Sequence, residues 1–380
     1  MSGAFNLLTP VEIVFGRGQI AQLNDRATQF GSRVLIVHGK SPGRLADIFE
    51  SLQTVETVQT LSIEKEPAFN TLTAAVERGK ALGIDLVIGI GGGSVMDSAK
   101  VLAAMLPSQT DLMSHLEVVG DGLPLSAKRL PLILVPTTAG TGAEVTRNAV
   151  IDIPEAQRKV SLRDKALLPD LALIDPAMTD HCPRSISLHS GLDAVTQLIE
   201  PYLSSRANLF TDMLCKEAIP KGLLALKQLM EAESKEARDA LAQVSLFGGL
   251  ALANSGLGVV HGLAGPLGGL CGAPHGAICG ALLPAGIAAN RDSVTDPDHR
   301  ARIDQVIEWI AEVFETKTEQ ALPRFRRWIV ESGLPGLASI GVSEEHVKPA
   351  CQAAASSSSM KANPVVLSTA TIEQVVRHSW

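Results

Sequence analysis

Leu86-Val87-Ile88-Gly89-Ile90 runs directly into Gly91-Gly92-Gly93-Ser94, and a helical pattern follows from Ser94 to Leu106. A short aliphatic run that ends in glycines ahead of a helix predicts a buried parallel strand feeding a crossover helix. Glycines at that junction let the backbone approach a pyrophosphate, and the helix N-terminus offers unpaired N–H groups and partial positive charge. Ser94 is placed to cap the helix and to donate to a phosphate oxygen. A tight strand-to-helix turn needs glycine in any case, so this loop alone does not decide the matter.

On the C-terminal side, the strand Leu132 to Val135 leads into Pro136-Thr137-Thr138-Ala139-Gly140-Thr141-Gly142-Ala143-Glu144. That second loop is dense in hydroxyls and small residues, suited to a phosphate, ribose or amide. Ligands of parallel sheets sit at the carboxyl ends of the strands, so both loops are expected to line one crevice. On the N-terminal side, Val34 to Val37 reads as a strand, Pro42 to Leu52 as helical, Val58 to Ile63 as a weaker strand and Asn70 to Leu82 as a helix. Gly39-Lys40-Ser41, with Arg44 nearby, follows the first of these strands. An acidic residue there would bind an adenosine ribose and repel a 2′-phosphate. Its absence predicts that NADP is tolerated beside NAD, with Gly39 and Ser41 near the ribose, unless Gly39 is only a turn residue. Thr146 to Leu162 has the alternation of short β-strands, and Leu171 to Ile174 makes one more.

After Pro183 the pattern changes to long helical segments: 185–202, 208–231, 235–252, 276–290 and 303–316, with Pro220 expected to kink or divide the second. The chain is therefore expected to hold an α/β domain over 1–180, with a Rossmann-like parallel sheet, and an all-helical domain over 181–380. The formal charge of −7 argues against a nucleic-acid partner. Five cysteines with no CxxC pair suit a reducing compartment. With no export pattern at the N-terminus and no unbroken apolar span, a cytoplasmic location is expected.

Asp193 and Gln197 are four apart in a helical segment and so share one face. Beside Leu192, Val195 and Leu198, an unpaired carboxylate would be costly. His261 and His275 flank a glycine-rich run with two prolines. One carboxylate and two imidazoles are a common divalent-ion set, although satisfied core histidines would show the same spacing.

Four blocks now stand in order: GIGGGSVMDSAK (89–100), PTTAGTGAEVT (136–146), SGLDAVTQLIEPY (190–202) and VHGLAGPLGG with APHG (260–276). Together they resemble the iron-containing (type III) alcohol dehydrogenase family over essentially the whole chain. The resemblance implies a dehydroquinate synthase-like architecture, a nicotinamide cofactor in the cleft, a catalytic iron or zinc, and often a dimer. By motif, Asp193, His261 and His275 fall on catalytic metal-ligand positions. Gly91, Gly92, Gly93 and Ser94 fall on the pyrophosphate loop, Thr137, Thr138 and Thr141 on cofactor contacts, and Asp97 and Lys159 beside the nucleotide. Asn148 is the candidate for a hydrogen bond to substrate.

Two positions depart from the family pattern. Gln197 stands where a ligating histidine is usual; its carbonyl oxygen can coordinate, as a harder and weaker donor. Gly265 stands where a second histidine is credited with proton relay, and His189, one turn before Asp193, is the nearest substitute as relay or ligand, and a candidate substrate contact. Cys271, four residues before His275, reads as a structural thiol. The expected activity is metal-assisted hydride transfer between a small alcohol and its aldehyde or ketone. Two other readings are a maleylacetate-reductase-like enzyme working without metal and a catalytically impaired ligand-binding homologue. A dehydroquinate synthase activity would need a cationic pocket that the helical half does not offer.

Overall fold

The computed structural model describes residues 4–40, 42–52, 54–64, 67–156 and 158–380. Ser41 lies outside the described residues. The chain divides into two compact units. The first comprises Leu8–Thr138 and Gly142–Asp180; the second comprises the N-terminal residues to Leu7, Ala139–Thr141 and His181–Trp380.

The first unit runs β1 (Glu12–Phe15), α1 (Leu23–Phe30), β2 (Arg33–His38), α2 (Ala46–Ser51), β3 (Thr57–Ser62), α3 (Phe69–Lys80), β4 (Leu86–Gly91), α4 (Gly93–Met105), β5 (Leu132–Pro136), β6 (Asn148–Ile153), β7 (Arg158–Arg163) and β8 (Leu171–Ile174). Six strands form one parallel sheet in the order β1-β8-β5-β4-β2-β3, and β6 and β7 make a separate antiparallel hairpin. Alternation places Val34, Ile36, Leu86 and Ile88 in one core and Leu35, Val37 and Val87 in the other, so both faces of the sheet are covered. From β3 the chain crosses back over β2 to β4. The switch in winding direction falls between β2 and β4, where the sheet opens at its carboxyl edge. The turns after β2, β4 and β5 start almost level, since His38 pairs with Ile90 and Gly91 with Pro136.

The second unit is helical: α5 (Arg184–Leu203), α6 (Leu209–Glu231), α7 (Lys235–Ser255), α8 (Val259–Cys271), α9 (His275–Ser293), α10 (Pro297–Val313), α11 (Ala321–Glu331), α12 (Glu344–Ala355) and α13 (Thr369–His378). α5 is its axis, buried without a break from Gly191 to Leu203. Pro220 does not divide α6, which stays one element from its Asn208–Thr211 capping box to Glu231. The glycine-rich run after His261 is not a loop. It is α8, with Pro266 inside it. All five cysteines are free thiols. Among the described residues no single helix is long and apolar enough to cross a membrane.

Candidate metal centre and cofactor loops

In the helical unit, α5 presents Asp193, Gln197 and Glu200 at i, i+4 and i+7, a polar stripe on a buried helix. Asp193 is 2% exposed, Gln197 3% and Glu200 5%. At the start of α8, Glu200 accepts hydrogen bonds from Val260 N (2.6 Å), His261 N (3.4 Å) and His261 Nδ1 (2.7 Å). A carboxylate there satisfies N–H groups that a helix start leaves unpaired and suits the positive end of the helix. Because the carboxylate accepts, Nδ1 carries the proton and Nε2 is left with a lone pair.

That lone pair faces Asp193 Oδ1 at 3.3 Å, and His275 Nε2 lies 3.8 Å from the same oxygen. Asp193 Oδ1, Gln197 Oε1 and His261 Nε2 are all buried without a hydrogen-bond partner. Two buried acceptors this close, Asp193 Oδ1 and His261 Nε2, favour a proton or a metal ion between them. Burial alone would raise Asp193; the nearby His261 and His275 imidazoles outweigh it and hold the carboxyl below its usual range. Burial likewise opposes charge on His275, but the adjacent Cys279 sulfur and Asp193 push it up to about 9. His261 also ends well above the ordinary histidine value, with Cys279, Asp193 and Glu200 overcoming burial. The site thus attracts positive charge strongly, and its carboxylate and two imidazoles fit a divalent ion.

Other expected site residues fall elsewhere. His189 is half-buried on α5 outside this cluster, and burial lowers its pKa. Nothing lies within 4 Å of a Cβ built on Gly265, so no side chain fills the relay position. Cys271 donates to Leu267 O within its own helix. Two residues that the sequence reading passed over belong to the cluster: Glu200, and Cys279, whose Sγ is 3.6 Å from His275 Nε2. The i+7 spacing from Asp193 and the i+4 spacing from His275 were the available signals.

In the α/β unit, Gly91 closes β4 and Gly93 opens α4. The N-cap is Gly92, in extended backbone and without a side-chain cap bond, so Ser94 is not the cap expected of it. It stands in the first turn, where its N–H points out of the helix start. Side chains are excluded along this stretch: a Cβ on Gly89 would stand 2.8 Å from Ala99 Cβ, and one on Gly91 2.6 Å from Val95 Cβ. Thr137 N donates to Gly91 O at 2.9 Å, and Thr138 Oγ1 lies 3.4 Å from a Cβ position on Gly92, so the two loops adjoin. Thr141 is half-buried. Among the described residues nothing lies within 4 Å of a Cβ built on Gly39, after β2. Lys159 lies opposite Asp152 in the β6–β7 hairpin.

Asp97 serves the scaffold: its Oδ2 accepts Val150 N at 2.9 Å. Lys100, fully buried, donates to Thr146 Oγ1 (3.0 Å) and Asn148 O (2.8 Å), with Asp97 Oδ1 at 3.6 Å. Burial lowers its pKa, with Asp97 and Glu144 opposing. Glu144 is also buried, with Oε2 unpartnered, and burial pushes it up to about 7 despite its own N–H and Lys100. A carboxyl raised in the folded state stabilises fully below its unfolded pKa, and that contribution is lost as pH rises toward the folded value. Between about pH 4.5 and 7 this loss is on the order of 3 kcal/mol. Glu144→Gln removes the titration, so its stability should gain on the parent's by that amount as pH is raised from about 4.5 to 8. Paired melts across this range check it; parallel curves would show that Glu144 does not titrate there.

A nucleotide-type parallel sheet and a helical unit with a buried carboxylate–imidazole cluster mark the chain as a two-unit oxidoreductase. It belongs to the iron-containing alcohol dehydrogenase family: residues 10–176 match the family's own model and residues 187–380 the model of its C-terminal domain. It is 31% identical to the probable alcohol dehydrogenase EutG of Escherichia coli (strain K12) over 97% of this chain and 92% of that protein. It is 32% identical to the lactaldehyde reductase of the same strain over 95% of each chain. The alcohol dehydrogenase from Oenococcus oeni superposes with a TM-score of 0.87 at 26% identity, covering 99% of this chain and 100% of that one.

Proposed function

We propose that this alcohol dehydrogenase interconverts a small alcohol and its aldehyde or ketone, with Asp193, His261 and His275 holding a divalent ion, iron or zinc, and with NAD or NADP as hydride carrier. The observation that carries the reading is the convergence of unpartnered buried acceptors, Asp193 Oδ1 and His261 Nε2, on one point beside His275. When bound, the ion supplies Lewis acidity toward an alcohol or carbonyl oxygen, and the nicotinamide accepts or returns a hydride. Glu200 fixes the His261 tautomer, so its Nε2 meets the ion as a neutral donor. Asp193 gives the one carboxylate oxygen of the cluster not already spent on a neighbour. Burial lowers the pKa of His189 and so favours its neutral form.

Cofactor phosphates are assigned to the N–H groups of Gly93 and Ser94 at the start of α4, with Gly91, Gly92, Thr137 and Thr138 beside them, and Thr141 is assigned a cofactor contact by its motif. Gly39, with Ser41 after it, takes the ribose end; both the β2 and β4 turns flank the switch point of the sheet. Asp97 and Lys159 then act by shaping this region. We assign Asn148, at the start of β6, to a substrate hydroxyl. A homodimer in the cytoplasm completes the reading. A metal-free reductase would have no use for a buried Asp193 facing two imidazoles, which argues against that alternative.

The test is turnover of small aldehydes with NADH and NADPH before and after chelation, then after reloading with Zn²⁺ or Fe²⁺. Activity should disappear and return with the ion; undiminished turnover in metal-free protein would sink the reading. In the same assay Gly39→Asp, which has room for its side chain, should lower the NADPH-to-NADH preference about tenfold or more, since a carboxylate repels the 2′-phosphate.

A further inference from the structure

The packing that builds the cluster also brings in a side chain with no role so far. Gly276 and Gly280 lie on the face of α9 turned toward α5. A Cβ on Gly276 would stand 2.3 Å from His189 O, and one on Gly280 2.4 Å from Leu192 Cδ1. Hydrogen at these positions lets the helices approach this closely. The approach carries His275, the first residue of α9, and Cys279, one turn further on, up to Asp193. Cys279 is fully buried. One donor atom from each of Asp193, His261, His275 and Cys279 lies within 4.8 Å of the others.

Donors held about 2.0–2.3 Å from a tetrahedral ion stand about 3.3–3.8 Å apart. Three of the six edges are 3.3 Å (His261 Nε2 to Asp193 Oδ1), 3.6 Å (Cys279 Sγ to His275 Nε2) and 3.8 Å (His275 Nε2 to Asp193 Oδ1), and the rest lie within 4.8 Å. We propose that Cys279 Sγ, as a thiolate, is the fourth protein ligand of the ion held by Asp193, His261 and His275, and that Gln197 positions Asp193 instead of ligating. This rests on the metal reading above. Gln197 stands one helical turn from Asp193 on α5 and helps hold its carboxyl low, the part of a positioning residue. A carboxylate and a thiolate together cancel the charge of a divalent ion, which lowers the penalty of burying it. A sulfur donor also turns the site toward Zn²⁺ or Fe²⁺ and away from Mg²⁺ and Ca²⁺. Binding releases the thiol proton to solvent.

Cobalt(II) gives a direct readout in the chelator-stripped full chain. The parent and Gln197→Ala should show a near-ultraviolet sulfur-to-cobalt charge-transfer band, and Cys279→Ser should lack it. Cys279→Ser should also bind Zn²⁺ at least about tenfold more weakly, the lower bound set by loss of a mere supporting hydrogen bond. Should that variant not fold, X-ray absorption on the zinc-loaded parent decides: one sulfur neighbour at about 2.3 Å is expected. Stoichiometric metal without a sulfur neighbour or band overturns the Cys279 assignment and leaves the metal reading standing. A parent that binds no divalent ion overturns both.

Discussion

Asp193→Asn is expected to lower kcat/KM for alcohol oxidation by about 10³-fold or more while the fold survives. The substitution is isosteric, so α5 should stay packed, but the negative charge between two imidazoles is gone. A bound ion stabilises developing oxygen charge by several kcal/mol, and about 4 kcal/mol corresponds to a factor of 10³ in rate. No other carboxylate in the cluster can step in, because Glu200 is already engaged by Val260 and His261. Steady-state kinetics with metal analysis and circular dichroism on the same preparation provide the check. A variant within tenfold of the parent and holding no metal would show that the cluster is a structural knot of polar groups.

Glu200→Ala should have the second largest effect, and on two quantities at once. Removing the carboxylate leaves the N–H groups of Val260 and His261 and the Nδ1–H of His261 buried without acceptors, at about 1–3 kcal/mol each. A loss of roughly 3–5 kcal/mol in the stability of the helical unit follows, as for other buried pairs broken from one side. With its tautomer no longer fixed, His261 should also hold metal about 10–100-fold more weakly. Glu200→Gln keeps an acceptor at the same place and should recover most of the stability and part of the affinity. Denaturant unfolding and chelator competition read the two separately. Unchanged metal affinity in a folded Glu200→Ala protein would mean that His261 needs no orienting partner.

Much of the α/β unit is legible in the chain because β-branched runs such as Val34 to Val37 and Leu132 to Val135 are buried on both faces of a sheet and carry little ambiguity. β1 escapes notice since it has only four residues, Glu12–Phe15, at the sheet edge, and its order comes from pairing with β8. α8 is hidden for a different reason. Its glycines and Pro266 are poor helix formers, and tertiary packing together with the Glu200 carboxylate at its start overrides that preference. Asp193 and Gln197 could be paired from helical spacing alone. Cys279 could not be joined to them, because the contact depends on how closely Gly276 and Gly280 let α9 approach α5, a distance that no spacing rule encodes.

The order of the parallel sheet also governs how this chain can be made. β5 is flanked on one side by β4 and on the other by β8, and β1 has no partner except β8. While the ribosome is still short of Leu171, β1 has nowhere to dock, and the outer edge of β5, with Leu132 to Val135 all buried in the finished protein, lacks its covering strand. An unpaired apolar edge is a template for joining other chains. Long-range parallel pairing is slow to form, which prolongs that exposure. A chain arrested or cleaved within the β6–β7 hairpin would carry the loops after β4 and β5 intact and still be aggregation-prone. Arrival of β8 ends the hazard in one step: it seals β5, recruits β1, and brings Asp175 and Asp180 to Ile20 N and Arg17.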